Sequence, residues 1–352
     1  HAPALLARAR REGPIVEILE EHEAYPSALP ARRETPHSAW VTIQIGCDNS
    51  CAFCIVPSVR GKEISRPMNE LVGEVAALVD QGVTEVTLLG QNVNSYGRDI
   101  TKRGPLFAQL LRELGDIDGL RRIRFTSPHP KDMRPDTFAA MAEVPAVCNH
   151  LHFPLQSGSD RVLAAMHRGY TATRYLEKVA AAREAIADLA VTSDIIVGFP
   201  GETEDDFEST LEVAATVGYD SCYPFIFSPR TGTEAATMAD RFVPEDVIAD
   251  RFERLRVVIE RSALARHEAR VGRTESVLIE GPSPRNDQRW SGRTSQNKLV
   301  HFEPRFDGDI RCAVGGYADV RIRRAARHHL IGELVAVTSA PRHRTRIPVA
   351  AL

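Results

Sequence analysis

No apolar run in this sequence approaches the roughly 20 residues that a membrane-spanning helix needs, which argues against a helical membrane protein. The opening stretch, Ala4-Leu5-Leu6-Ala7-Arg8-Ala9-Arg10, lacks the apolar core of a signal peptide, so a cytoplasmic location is expected. There is no internal repeat beyond an alternation of strand-like and helix-like stretches, and no low-complexity tract. Cysteine is sparse, with six in 352 residues, and none precedes Cys47. Met is missing from the start: the chain begins at His1, directly in a charged amphipathic segment, and the expectation is that an upstream region has been removed.

What is present suits a folded protein, since 43% hydrophobic and 26% charged residues balance as in globular chains and not as in disordered ones. The length accommodates two domains, or one large barrel with an appendage. A formal net charge of −3 hides an asymmetry. Glu202, Glu204, Asp205, Asp206 and Glu208 crowd one segment, whereas eight arginines between Arg311 and Arg346 face only Asp319 and Glu333. Such a split hints at an anionic partner for the C-terminal part, against the plainer reading of a solvated face.

Residues 1–36 read as a helix, with Leu5, Leu6, Ile15, Ile18 and Leu19 forming its stripe, followed by a proline-containing linker. Val41, Ile43 and Ile45 then alternate with Thr42 and Gln44 in a strand that leads directly into Cys47. Further strands are expected at 83–89, 121–125, 150–155, 190–197 and 219–227, separated by apolar-periodic helices at 70–79, 106–114, 135–141, 173–186 and 204–217. Six βα units imply a parallel sheet; eight would close a barrel and need about 250 residues, so an open six-stranded (β/α)6 partial TIM barrel is expected. A long charged helix over 244–271 closes this region. Short strands at 277–279, 299–302, 317–322 and 334–337 then read as a small C-terminal β-barrel of a kind often used to hold RNA. The expected division is a linker over 1–36, a catalytic domain over 37–271, the small barrel over 272–340 and a tail over 341–352.

Cys47, Cys51 and Cys54 form a C-x3-C-x2-C cluster after the first strand, while Cys148, Cys222 and Cys312 are scattered and read as ordinary buried thiols. In a cytosolic-looking protein, clustered thiols point to metal before disulfide. Structural zinc wants four ligands and a closed shell. Three on one tight loop suit an iron-sulfur cluster in which one iron keeps an open position for a substrate or cofactor.

The string from Cys47 to Cys54 resembles the signature of the radical S-adenosylmethionine superfamily. That resemblance implies a 4Fe-4S cluster on the three cysteines, with S-adenosylmethionine chelated at the open iron and cleaved to a radical that abstracts hydrogen. It also implies cofactor contacts at the ends of later strands. Gly90, Gln91, Asn92 and Asn94 resemble the element that holds the cofactor's amino group. Gln156 and Ser157, with Gly198 and Pro200, resemble elements that meet its ribose and adenine, and Phe53 matches an aromatic whose backbone meets the adenine. The resemblance assigns no catalytic side chain.

Longer strings narrow the likeness. Ile55-Val56-Pro57 with Arg60-Gly61, Ser65-Arg66-Pro67, residues 90–97, Phe125-Thr126-Ser127-Pro128-His129-Pro130 and residues 194–202 resemble the methylthiotransferases, and 90–97 resembles their tRNA-modifying MiaB branch. Gly292-Arg293-Thr294, with Asn297, Val300 and Phe302, and His328-His329-Leu330-Ile331-Gly332 resemble the TRAM domain of that branch. Membership would imply methylthiolation of N6-isopentenyladenosine at C2, next to the anticodon of tRNA, with an electron donor such as flavodoxin or ferredoxin. One departure stands out: the family carries an N-terminal domain whose three cysteines hold a second 4Fe-4S cluster for sulfur delivery, so this chain alone is expected to cleave the cofactor without thiolating. The alternatives are a methylthiotransferase for a ribosomal protein or another modified adenosine, or a non-catalytic RNA-binding iron-sulfur protein.

Overall fold

The computed structural model describes residues 35–284, 286–305 and 311–342, together with Arg8, Arg10 and Arg11 and apart from the side chain of Asp287. The helix and linker expected over 1–36 and the tail beyond 342 lie outside the described residues, except for the few residues named. Six parallel strands run in chain order: β1 (Ser38–Thr42), β2 (Glu85–Leu89), β3 (Arg122–Phe125), β4 (His150–His152), β5 (Ala190–Val197) and β6 (Ser221–Ile226). Regular ladders join β1-β2-β3 and β4-β5-β6, with Val41 beside Leu88 and Leu151 beside Val191. A single parallel bridge, Ile123 to Val147, links the two halves. The result is the open six-stranded partial barrel expected from the βα alternation.

The strands take their places because alternate side chains face opposite sides. Along β5 the apolar positions Val191, Ile195 and Val197 are buried beneath helices, while Thr192, Asp194 and Ile196 are part-exposed on the concave face. Helices α1 (Met68–Asp80), α2 (Phe107–Gly115), α3 (Pro135–Glu143), α4 (Ala172–Ala185) and α5 (Glu204–Val217) cover the convex face. Helix α2 buries Phe107, Ala108, Leu110, Leu111 and Leu114 on one side. Helix α5 begins in a capping box, in which Thr203 and Asp206 satisfy each other's backbone N–H groups. Helix α6 (Glu245–Glu268) packs along β6 and ends the sheet region.

Beyond α6 five strands close a barrel: β7 (Thr274–Ser283), β8 (Asn286–Arg293), β9 (Leu299–Phe302), β10 (Tyr317–Ala325) and β11 (Leu330–Ser339), in the order β8-β9-β11-β10-β7. Its own core is Val277, Ile279, Val300, Phe302, Ala318, Val320, Ile322 and Leu330. Strand β8 has no counterpart in the pattern reading, because Asn286, Asp287, Gln288 and Arg289 look like turn residues and not like a strand. The first expected strand also divides. Its sheet ladder stops at Thr42, and Gln44–Ile45 instead pairs antiparallel with Ile64–Ser65, which brackets the cysteine loop.

The barrel docks against the sheet region through polar groups. Arg122 donates to the carbonyls of Arg293 and Ser276, and Arg124 to those of Thr294 and Ser295. Lys298 reaches Asp220 at 2.7 Å, with both side chains buried. Two histidines lie at this junction, His150 part-buried and His267 buried. Burial, helped by the charge of Arg124, holds His150 down at about 3, and burial holds His267 at about 4, both from an ordinary 6.5. The unfolded chain therefore takes up protons below pH 6.5 that the folded chain refuses. Stability is fully present above that value and is lost as the pH falls toward 4. For His150 alone the loss at pH 5 comes to about 2 kcal/mol. Urea midpoints are expected to fall between pH 7.5 and pH 5, and equal midpoints would show that neither ring is held neutral.

Candidate functional site

The cysteine loop is fixed by its backbone. Gly46 enters it at φ +78°, where a β-carbon would lie 1.9 Å from the Lys62 carbonyl oxygen, so only glycine fits. The Cys47 N–H donates to Gly61 O at 3.1 Å, Ala52 N–H to Met166 O at 3.1 Å and Cys54 N–H to Cys51 O at 3.0 Å. The Ala52 carbonyl in turn accepts from the Ala235 N–H at 2.9 Å. Three half-buried thiols stand on this frame. Burial raises the Cys47 and Cys54 thiols, and the nearby Cys51 adds to the rise in each, so the thiolates need a positive group to be stable. An iron-sulfur cluster supplies one, and three thiols fit it as a donor set, each to a different iron. Among the described residues no three His, Cys, Asp or Glu side chains are gathered into a cage for a single metal ion.

Beside the loop, a cavity of about 250 Å³ opens at the C-terminal ends of β5 and β6. Phe53 from the cysteine loop, Gln156 after β4, Asp194 and Ile196 from β5, and Phe225 from β6 line it, with Ile226, Phe227, Ser228 and Arg230. This is the end of a parallel barrel where side chains from several strands converge. A polar ladder leads down the concave face from it. Asp194 Oδ2 lies 3.3 Å from His152 Nε2, His152 Nδ1 lies 3.1 Å from Thr192 Oγ1, and His150 Nε2 reaches the same hydroxyl at 3.0 Å. Tyr223 and Phe225, opposite Asp194 and Ile196 in register, are 60% and 49% exposed, unusual for large apolar side chains inside a fold.

The residues expected to meet the cofactor divide into two groups. Phe53 and Gln156 line the cavity, and Gln156 does so from a left-handed backbone with φ +67°. Gly90 is buried against Gln44, and the adjoining Gln91 has a buried side-chain oxygen without a partner among the described residues. The others are held inside the protein. Asn92 donates to Asp132 at 2.8 Å, and Asn94 bonds to the backbone of His129 at both ends of its amide, at 2.8 and 2.9 Å. Ser157 Oγ lies 3.3 Å from Thr210 Oγ1 and accepts from the Ser159 N–H. Gly198 (φ +77°) donates its N–H to Glu202 at 2.9 Å, and Pro200 is buried beside it. Burial pushes Glu202 up to about 7 although Arg251 stands 3.1 Å away. Cys148, Cys222 and Cys312 are buried free thiols.

Pattern reading missed Asp194, His152, Tyr223 and Phe225 as a group. Their alternation on β4, β5 and β6 is the available signal, since inward positions of an ordinary αβ core would be aliphatic.

Residues 41–214 match the sequence family described as the Radical SAM superfamily, and residues 268–335 match the TRAM domain. With the open barrel and the cysteine loop at its mouth, these define the chain as a radical SAM protein joined to a TRAM barrel. Three proteins named tRNA-2-methylthio-N(6)-dimethylallyladenosine synthase are similar over almost the whole chain. The Mycobacterium marinum protein, synthase 1, is 50% identical over 94% of the chain and 65% of its own length. That of Salinispora arenicola is 51% identical over 93% and 66%, and that of Saccharopolyspora erythraea 49% identical over 94% and 68%. The chain belongs to this synthase family, of which it spans about two thirds of the length.

Proposed function

We propose that this chain is the cofactor-cleaving and RNA-binding part of a tRNA methylthiotransferase that converts N6-isopentenyladenosine to its 2-methylthio derivative beside the anticodon. The observation that carries the reading is the shared wall: Phe53 of the cysteine loop lines the same cavity as Gln156, Asp194 and Ile196. Cys47, Cys51 and Cys54 would hold a 4Fe-4S cluster, which when bound supplies the one-electron reduction that cleaves S-adenosylmethionine. Phe53, Gly90, Gln91, Gln156, Gly198 and Pro200 would shape the cofactor's place. Asn92, Asn94 and Ser157 would act by bracing those loops. The exposed faces of Tyr223 and Phe225 offer an apolar wall for a prenylated base, and the His152–Asp194 pair offers polar groups for its edge. Sulfur delivery would fall to a second cluster outside these ligands, and the electron to a donor such as flavodoxin or ferredoxin. The proposed boundaries, 37–271 and 272–340, are supported by the barrel's having a hydrophobic core, Val277 to Leu334, separate from those of the sheet region.

Anaerobic loading with iron and sulfide, followed by S-adenosylmethionine and dithionite, is expected to give about four irons per chain and 5′-deoxyadenosine. Bound iron without that product would make the site structural and sink the enzymatic reading.

The barrel's contribution to RNA affinity is open to a separate check. Arg321 and Arg324 are exposed and join no salt bridge among the described residues, whereas Arg323 pairs with Glu333 and Arg327 with Glu260. Arg321→Gln with Arg324→Gln should weaken tRNA binding and lower its log-log salt slope by roughly 0.7 to 0.9 for each phosphate no longer neutralised. An unchanged slope would place the RNA elsewhere.

A further inference from the structure

The string Met166-His167-Arg168-Gly169-Tyr170 carries a group that the function above leaves unused. Arg168 is 5% exposed, yet among the described residues it has no carboxylate partner. Its Nη1 donates to Cys51 Sγ at 3.4 Å, and its Nε donates to Tyr170 Oη at 3.1 Å. The tyrosine hydroxyl is itself anchored on the carbonyls of Pro154 at 3.1 Å and Leu155 at 2.9 Å. The two residues ahead of Arg168 clamp the cysteine loop as well: Met166 O accepts from the Ala52 N–H, and His167 Nδ1 lies 3.0 Å from Ser50 O. A buried guanidinium is costly unless an anion answers it, and the one sulfur it touches is a proposed cluster ligand.

We infer that Arg168 sets the reduction potential of the cluster by holding a fixed positive charge and an N–H donor against the Cys51 sulfur. The inference rests on the cluster assignment made above. Reduction adds one electron, taken from a donor outside the chain, and moves no proton. A cluster on three thiolates thereby becomes more negative. A cation held at its sulfur in a poorly solvated place favours that reduced state, and hydrogen bonds to cluster sulfurs act in the same direction. Arg168 acts through Cys51 and is a positioning residue. The Tyr170 anchor fixes the guanidinium before any cluster is present. Lysine would keep the charge but could not bond both the sulfur and the hydroxyl with the same planar fork.

EPR-monitored potentiometry of the iron-loaded full chain, without S-adenosylmethionine, tests this independently of turnover. Arg168→Met, which removes charge and donor, is expected to shift the equilibrium at least tenfold toward the oxidised cluster, or 59 mV for a one-electron couple. Arg168→Gln, which keeps a donor, should shift it less, and Arg168→Lys, which keeps the charge, least. Iron content should stay at the wild-type level. An unmoved midpoint in variants that retain their iron overturns the inference. Loss of iron in Met, Gln and Lys variants alike also overturns it and makes Arg168 a purely structural residue. A wild-type chain that takes up no cluster defeats the functional reading and this inference together, whereas a wild-type cluster with unmoved variants defeats this inference alone.

Discussion

Replacing Cys47, Cys51 or Cys54 singly with Ala is expected to take 5′-deoxyadenosine formation below detection while leaving the fold in place. The two outcomes separate because the loop is built from backbone bonds. The amides of Cys47, Ala52 and Cys54 bond to Gly61, Met166 and Cys51 carbonyls, and none of these bonds uses a thiol. The side chains are only half buried, so losing the Cys47 or Cys54 sulfur should cost the ~1 kcal/mol usual for a point substitution, and Cys51→Ala somewhat more, because it removes the sulfur to which the buried Arg168 donates. A cluster with three protein ligands cannot spare one in the same way, since each thiolate binds its own iron. Cys148→Ala is the control. Cys148 is buried beside Arg122 and Arg124 at the barrel junction, away from the loop, and its loss should leave iron content and cofactor cleavage unchanged. Full iron and full cleavage in any one of the three loop variants would remove that cysteine from the ligand set.

Much of this architecture is legible along the chain because it follows from local periodicity. The alternation in β1 and β5 and the apolar stripe of α2 repeat over few residues and need no distant partner to be read. The cysteine loop is legible for a different reason: its three thiols lie within eight residues, and their spacing carries the chemistry. What escapes is whatever depends on a partner far away in sequence. Asn94 looks like a ligand-facing amide until its tie to the His129 backbone, 35 residues on, is seen. Arg122 and Arg124 read as ordinary strand positions, although their guanidinium groups end on carbonyls about 170 residues later. Strand β8 hides because its polar first half falls at a register irregularity after Asn286, and the part that pairs with both neighbours, Trp290–Arg293, is only four residues long and includes a serine and a glycine. Arg168 stands beside glycine in what looks like a loop, and only Cys51, 117 positions earlier, gives it a role.

The same long-range contacts change how the C-terminal barrel should be regarded. As an independent RNA-binding appendage it would unfold separately from the sheet region and tolerate substitution at its inner loop. The junction predicts the reverse. Lys298 belongs to the barrel, but its partner Asp220 also accepts from the Val191 N–H at 2.9 Å, and so holds the start of β5. Arg270 joins Glu275 at 2.8 Å, and Arg121 stacks 3.6 Å over the ring of Tyr317, whose hydroxyl meets Thr84 at 3.3 Å. Contacts from 84, 121 and 122 on one side and 149 and 220 on the other tie the barrel to both halves of the open sheet. Lys298→Met leaves Asp220 buried without its cation, a change that costs about 3–5 kcal/mol when a buried pair is broken from one side. The loss should appear in both regions at once. The chain has two tryptophans, Trp40 on β1 and Trp290 on β8, so Trp40→Phe and Trp290→Phe each leave a fluorescent probe in one region. In urea the two probes are expected to report one coincident transition, as cooperative unfolding requires, and Lys298→Met should move both midpoints down together. Two separated transitions, or a Lys298→Met effect confined to the Trp290 signal, would show that the barrel folds by itself and that the sheet does not depend on it.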